Sequence, residues 1–130
     1  MEQDELRIFN ALRDEFNKRS SADKDFHQSV ANWNRLLQFT ITDSNNTYNI
    51  QFQNGQISPI LQGMAARPNI TVKSSLKNIL AILCGQLDPM GAVMTRKITV
   101  LGSPGDLSFL KKFILKESPK IREIAKTVSL

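Results

Sequence analysis

Residues 37–55 read LQFTITDSNNTYNIQFQNG, and this run decides the fold class. Leu37, Phe39 and Ile41 alternate with Gln38, Thr40 and Thr42, the period of a strand with one buried and one wet face. Asp43-Ser44-Asn45-Asn46 is turn chemistry, since Asn and Asp tolerate positive φ. Tyr48, Ile50 and Phe52 then alternate with Asn49, Gln51 and Gln53, which gives a matching second strand. Asn54-Gly55 predicts a tight hairpin, because both residues accept the positive φ of a type I′ turn. A third strand is expected from about Gln56 to Leu61, with Pro59 placing it at a bulge or a sheet edge. Beyond the Gly63–Pro68 loop, Ile70-Thr71-Val72-Lys73 reads as a fourth strand and Lys97 to Leu101 as a fifth.

Outward from the strands the period changes to that of helices. Leu6, Phe9, Leu12 and Phe16 predict an amphipathic helix over about Asp4 to Lys18, with Arg7, Asp14 and Lys18 toward water. Ser20-Ser21-Ala22-Asp23 breaks it and offers caps for a second helix, whose stripe is Phe26, Val30 and Trp33. Ser74 or Ser75 can cap a helix that runs to Leu83 and ends at Gly85. Asp88-Pro89 opens another through Met94. Gly102 to Gly105 turns into a helix expected to be capped by Asp106, with Leu107, Leu110 and Ile114 alongside Phe109 and Phe113. Ser118-Pro119 begins a basic helical extension, residues 116–130, with Ile121, Ile124, Ala125 and Val128 at helical spacing. A sheet with one apolar face needs helices over that face, so the expected class is α+β.

The chain has 130 residues, enough for a single domain over 1–130 that buries a good core without metals or disulfides. No apolar stretch approaches the ~20 residues of a membrane span. Glu2, Gln3, Asp4 and Glu5 are unlike the basic start of a signal peptide. Cys84 is the lone cysteine, which points to a reducing compartment, and the ending Thr127-Val128-Ser129-Leu130 lacks a peroxisomal address. A soluble, cytoplasmic protein is expected. The charge is uneven: residues 1–43 hold 8 acids and 6 bases, residues 44–130 hold 4 acids and 11 bases. The basic part suits transient contact with an anionic membrane surface, a phosphorylated ligand or nucleic acid, and equally a solvated helix surface.

The helix over 75–83 has almost no polar side, since only Lys77 and Asn78 interrupt Leu76, Ile79, Leu80, Ile82 and Leu83. Such a helix must be surrounded by apolar partners, which are either a dense protein core or a ligand. Met90, Val93 and Met94 follow, and methionine adapts to ligands of variable shape.

Two phrases carry a resemblance. One is Ile70-Thr-Val-Lys-Ser-Ser75 followed by Leu80-Ala-Ile-Leu-Cys-Gly-Gln-Leu-Asp-Pro-Met-Gly-Ala-Val-Met94; the other is Met94-Thr-Arg-Lys-Ile-Thr-Val-Leu-Gly102. With Gly102 and Asp106 at the last strand-to-helix turn, residues 33–115 resemble the sterol carrier protein type 2 family. The resemblance implies a five-stranded, mostly antiparallel sheet with helices on one face, enclosing an apolar tunnel. It implies non-enzymatic binding, and transfer or presentation, of a fatty acid, acyl-CoA, sterol or isoprenoid and quinone-type lipid, without a cofactor or metal. Carried over by position, the lining is Phe39, Ile41, Ile50 and Phe52 from the strands and Leu80, Leu83, Met90 and Met94 from the middle helices. Leu110, Phe113 and Ile114 complete it from the closing helix. Arg96, Lys97, Lys111 and Lys112 flank apolar segments and are expected to meet a charged head group at the mouth.

Other function classes find less support. His27 sits on a helix of ordinary pattern, Cys84 lies in the most apolar segment, and Asp4/Glu5 and Asp14/Glu15 are expected on a solvated face, so no catalytic constellation forms. Gly102-Ser103-Pro104-Gly105 lacks the Gly-Lys-Ser/Thr of a phosphate loop. A pI near 9.6 comes without a nucleic-acid reader motif, so no specific nucleic acid is expected. The remaining alternative is an interaction module, or an accessory module of a lipid-metabolising complex, with a closed core. The polar strand face of Gln38, Thr40, Asn49, Gln51 and Gln53 favours solvent, hence a monomer or weak dimer, and leaves Ile121 to Val128 as the better partner contact.

Overall fold

The computed structural model describes residues 2–114 with residues 123 and 126, and for residues 2, 3 and 111–114 the backbone alone. The basic extension expected over 116–130 lies outside the description, apart from those two positions. Helices α1 (Glu2–Ala22) and α2 (Lys24–Val30) precede strands β1 (Arg35–Ile41), β2 (Asn46–Gln53), β3 (Gln56–Ile57), β4 (Leu61–Gln62) and β5 (Ile70–Ser74). Then come α3 (Leu76–Leu83), α4 (Pro89–Met94), β6 (Ile98–Leu101) and α5 (Pro104–Ile114). The class is α+β, as the strand and helix periods predict. Among the described residues no helix is long and apolar enough to cross a membrane.

The sheet is six-stranded rather than five-stranded, ordered β3-β2-β1-β5-β6, with β4 also on β2. The expected third strand divides because Ser58-Pro59-Ile60 interrupts the ladder: proline has no N–H to donate. The sheet is mixed, since β1 and β5 run parallel. Asn69 starts that pairing by holding both backbone groups of Leu36, its own N–H and its side-chain Oδ1 each at 2.8 Å. The hairpin follows the Asn54-Gly55 prediction, with φ of 54° and 77°. A side chain at Gly55 would strike the His27 ring, whose Nδ1 lies 2.7 Å from Ser20 Oγ, so His27 is a packing histidine.

The register aligns one apolar row across four strands: Tyr48, Phe39, Val72 and Val100. α1 lies on this face through Phe9, whose ring meets Phe39 at 5.2 Å and Tyr48 at 4.9 Å. It also shields the short edge strand. Arg13 Nε and Asn17 Nδ2 each donate to the Ile57 carbonyl at 3.0 Å, and Ile57 N–H donates to Asn17 Oδ1 at 2.7 Å. These side chains complete the hydrogen bonds that a further strand would have made.

Four local expectations are corrected. Trp33 stands beyond the end of α2 and packs against Phe52 instead of extending the helical stripe. Asp106 is not the cap of α5; Ser103 Oγ accepts its N–H at 3.2 Å and takes the capping position. Gln38 is buried rather than wet, because the loop after β4 folds over that face and Ala65 N–H donates to Gln38 Oε1 at 2.8 Å. Glu5 is fully buried, not solvated. Its Oε1 accepts from Tyr48 Oη at 2.8 Å and from Asn46 Nδ2 at 3.1 Å, while Oε2 has no partner among the described residues. A buried acidic side chain that loses one of two donors keeps its desolvation cost with only the Asn46 bond to offset it. Tyr48→Phe is therefore expected to lower stability by about 1–3 kcal/mol, read by chemical denaturation.

Candidate functional site

Helices and sheet do not close fully on each other. Between them lies a cavity of about 490 Å³, within the range of small-molecule sites. The sheet supplies Leu37, Phe39, Ile50, Phe52, Val72 and Val100 to its floor. α1 contributes Phe9, Leu12 and Phe16 along one helical stripe, and α3 contributes Ile79, Ile82 and Leu83. α3 can be apolar nearly all round for this reason: Leu76 and Leu80 face protein core while Ile79, Ile82 and Leu83 face the cavity. Ser75 caps its start, with Oγ accepting Asn78 N–H at 3.1 Å, and Gly85 at φ 75° ends it.

α4 and the start of α5 make the rim. Asp88 Oδ2 accepts Gly91 N–H at 2.8 Å and sets the beginning of α4, whose Met90 and Val93 line the cavity while staying 50% and 38% exposed. Pro104 and Ser108 are likewise exposed lining residues. Among the described residues, Ser108 is the single lining residue with a polar side chain, and none of them brings a charged side chain to the wall. A wall of this kind removes hydrocarbon from water, and among the described residues it offers no partner for a charge.

α5 is pinned by one carboxylate. Asp106 accepts from Trp33 Nε1 at 3.1 Å and from Arg35 Nε at 2.9 and 3.0 Å. Trp33 also stacks on Phe109 at 4.5 Å. Burial acts to raise the Asp106 pKa, but hydrogen bonds from Trp33, Arg35 and Ser103 and the Arg35 charge together hold it below 3.8, the ordinary value. The carboxylate thus stays ionised and keeps Leu107 and Leu110 of α5 on the cavity wall.

The structure brings Phe39, Ile50, Phe52, Leu83, Met90 and Leu110 of the expected lining to this one wall. Ile41 and Leu80 are buried in the core away from it, and Met94 points out at 80% exposure. The side chains of Lys111, Lys112, Phe113 and Ile114 lie outside the described residues. Arg96 and Lys97 are exposed and follow the rim directly, their N–H groups donating to Val93 O at 3.1 Å and Ala92 O at 2.8 Å. Sequence reasoning found the α1 stripe but did not place it on the lining, because the resemblance began only at residue 33. The spacing of Phe9, Leu12 and Phe16 was the available signal.

Comparisons with known proteins agree with this architecture. The chain is similar to the stereoselective inverting sec-alkylsulfatase Pisa1 from Pseudomonas sp., at 17% identity and TM-score 0.61 over 71% of the chain. It spans only 14% of that enzyme's length. It is similar to the ubiquinone synthesis protein UbiJ-SCP2 at 16% identity and TM-score 0.59, covering 92% of this chain and 88% of that one. It is similar to palmitated SCP2L2 from Aedes aegypti at 19% identity and TM-score 0.57, covering 82% and 94%. Identities this low show the fold alone. No curated protein matches the chain in sequence. The family model of the SCP-2 sterol transfer family, however, matches residues 13–114, from the middle of α1 to the end of α5, and so takes in most of the cavity wall. By that match the chain belongs to the SCP-2 sterol transfer family.

Proposed function

We propose that the chain binds an apolar lipid in the 490 Å³ cavity, which serves as the family's tunnel, and carries or presents it without bond chemistry. The observation that supports this most is the wall itself, whose described side chains are all apolar apart from Ser108. Members of the family are in general non-catalytic lipid-binding domains. Each buried methylene gives about 0.8 kcal/mol, so a sixteen-carbon chain gains roughly 11 kcal/mol gross. After an association cost of at least about 4 kcal/mol, at most about 7 kcal/mol remains, a Kd of about 7 μM or weaker.

The polar end of such a ligand stays at the rim. Arg96 and Lys97 stand next to Val93 there, and Lys111 and Lys112 join them in this reading, to meet a carboxylate or the phosphates of an acyl-CoA. Fatty acids, acyl-CoA esters, sterols and isoprenoid or quinone-type lipids all fit an apolar wall of this kind; the proteins of similar fold include palmitated SCP2L2 and a ubiquinone synthesis protein. The buried lone Cys84 is consistent with a cytoplasmic site of action. Titration with a fluorescent long-chain fatty acid tests the reading. Saturable binding with one site per chain, changing by no more than about threefold as salt is raised, is expected. Binding that is absent, or that collapses with salt, would place the attraction on the surface and refute the cavity.

A further inference from the structure

We propose that α4, together with Arg96 and Lys97, is the surface by which this protein docks on an anionic lipid bilayer, with the cavity rim turned toward the membrane. The proposal deepens the lipid-binding reading and rests on it for its purpose, though docking itself is measured separately.

α4 presents three large apolar side chains to solvent within six residues: Met90, Val93 and Met94 at 50%, 38% and 80% exposure. Met90 and Val93 are at the same time cavity wall, so whatever covers α4 also covers the way in. Met94 is not among the lining residues, and among the described residues nothing packs over it. Isolated exposed apolar residues are ordinary, but here three adjoin the mouth of an apolar space.

The charges at the end of this helix choose the partner. Asp88, the acid of the segment, is turned to Gly91 N–H at the start of α4. Both bases come at the other end, where Arg96 and Lys97 flank the rim. Arg96 has φ 61°, the left-handed position past a helix end that glycine ordinarily takes. A side chain there costs conformational energy that glycine would not incur, and what it adds is a cation beside the apolar patch. Apolar side chains that reach the acyl boundary, flanked by bases at head-group level, match an anionic bilayer surface. A six-residue helix is small for a stable protein interface, which buries about 800 Å² on each partner.

Co-sedimentation of the full chain with phosphatidylcholine vesicles, with and without phosphatidylglycerol, tests the proposal. The parent is expected to bind the anionic vesicles and to leave them as salt is raised. Arg96→Gly with Lys97→Gln should lower that partitioning by about 30-fold, at about fivefold for each base. Because glycine suits the backbone at position 96, this variant is expected to fold at least as well as the parent. Met94→Glu should lower partitioning by about tenfold or more while leaving fatty-acid binding in vesicle-free solution unchanged. No binding of the parent to anionic vesicles overturns the proposal, the result expected if α4 instead meets a protein. Equal sedimentation of the parent and Met94→Glu overturns it as well. The vesicle-free titration is scored apart, so a failure of docking is distinguished from a failure of the cavity reading.

Discussion

Val72→Trp is expected to weaken long-chain fatty-acid binding by about 50-fold while lowering stability by less than about 1 kcal/mol. Val72 is buried at the centre of the sheet, between Phe39 of β1 and Val100 of β6, and all three face the cavity. A tryptophan there extends into the space between the layers and takes roughly three methylenes' worth of room from a ligand. At about 0.8 kcal/mol for each methylene, the loss is about 2.4 kcal/mol, which is the stated 50-fold. The stability half of the result matters as much. In a close-packed core the same enlargement forces side chains off their rotamers and costs about 1–3 kcal/mol. Fluorescent fatty-acid titration and urea denaturation of one variant thus separate a cavity from a packed interior. Unchanged affinity with a large loss of stability would contradict the cavity.

Asp106→Ala has the largest expected effect on stability, about 3 kcal/mol at neutral pH. It removes the acceptor shared by Trp33 Nε1 in the buried part of the site and by the partly exposed Arg35 guanidinium, so a buried hydrogen bond and a charge-assisted one are lost together. For a chain of this length that is roughly a 10 °C fall in thermal midpoint. Asp106→Asn keeps an acceptor for Trp33 but loses the charge, so its cost should be smaller, about 2 kcal/mol. The pH dependence has a definite sign. The folded pKa of Asp106 lies below 3.8, so its contribution is fully present above that value and is lost as pH falls through the folded pKa. The stability gap between parent and Asp106→Asn should therefore be constant from neutral pH down to about pH 5 and narrow below pH 4. Denaturation curves across that range measure it. Since Leu107 and Leu110 stand on the wall, both variants are also expected to hold fatty acid less tightly.

The period-two alternation of residues 37–53 made the sheet legible, because a face that packs against helices must be apolar and its opposite need not be. The cap at Asp88, the turn at Asn54-Gly55 and a serine cap at 74 or 75, which the structure assigns to Ser75, were equally readable, since each is decided by local backbone chemistry. What is settled by distant contacts was not. Glu5 looks like one of several acids at a helix start, and only the fold brings Tyr48 and Asn46 to it. Asp106 has the composition of a cap, but Trp33 and Arg35, more than seventy residues earlier, claim its side chain. The parallel pairing of β1 with β5 is invisible to periodicity, which does not encode strand direction. For the cavity wall, the resemblance implied Ile41 together with Phe39, Ile50 and Phe52, and alternation puts Ile41 on the same strand face as Phe39. Position along the strand, not face, decides which of them meets the cavity. The same limit applies to Met94, one helical step past Val93 and turned outward.

The central claim is that this chain carries a lipid inside it. Gentle purification, extraction with organic solvent and mass spectrometry of the extract test it most directly. The account predicts a co-purified apolar lipid near one molecule per chain, reduced in Val72→Trp. An extract without lipid, from protein that also takes up no fatty acid, acyl-CoA or sterol probe, would contradict it.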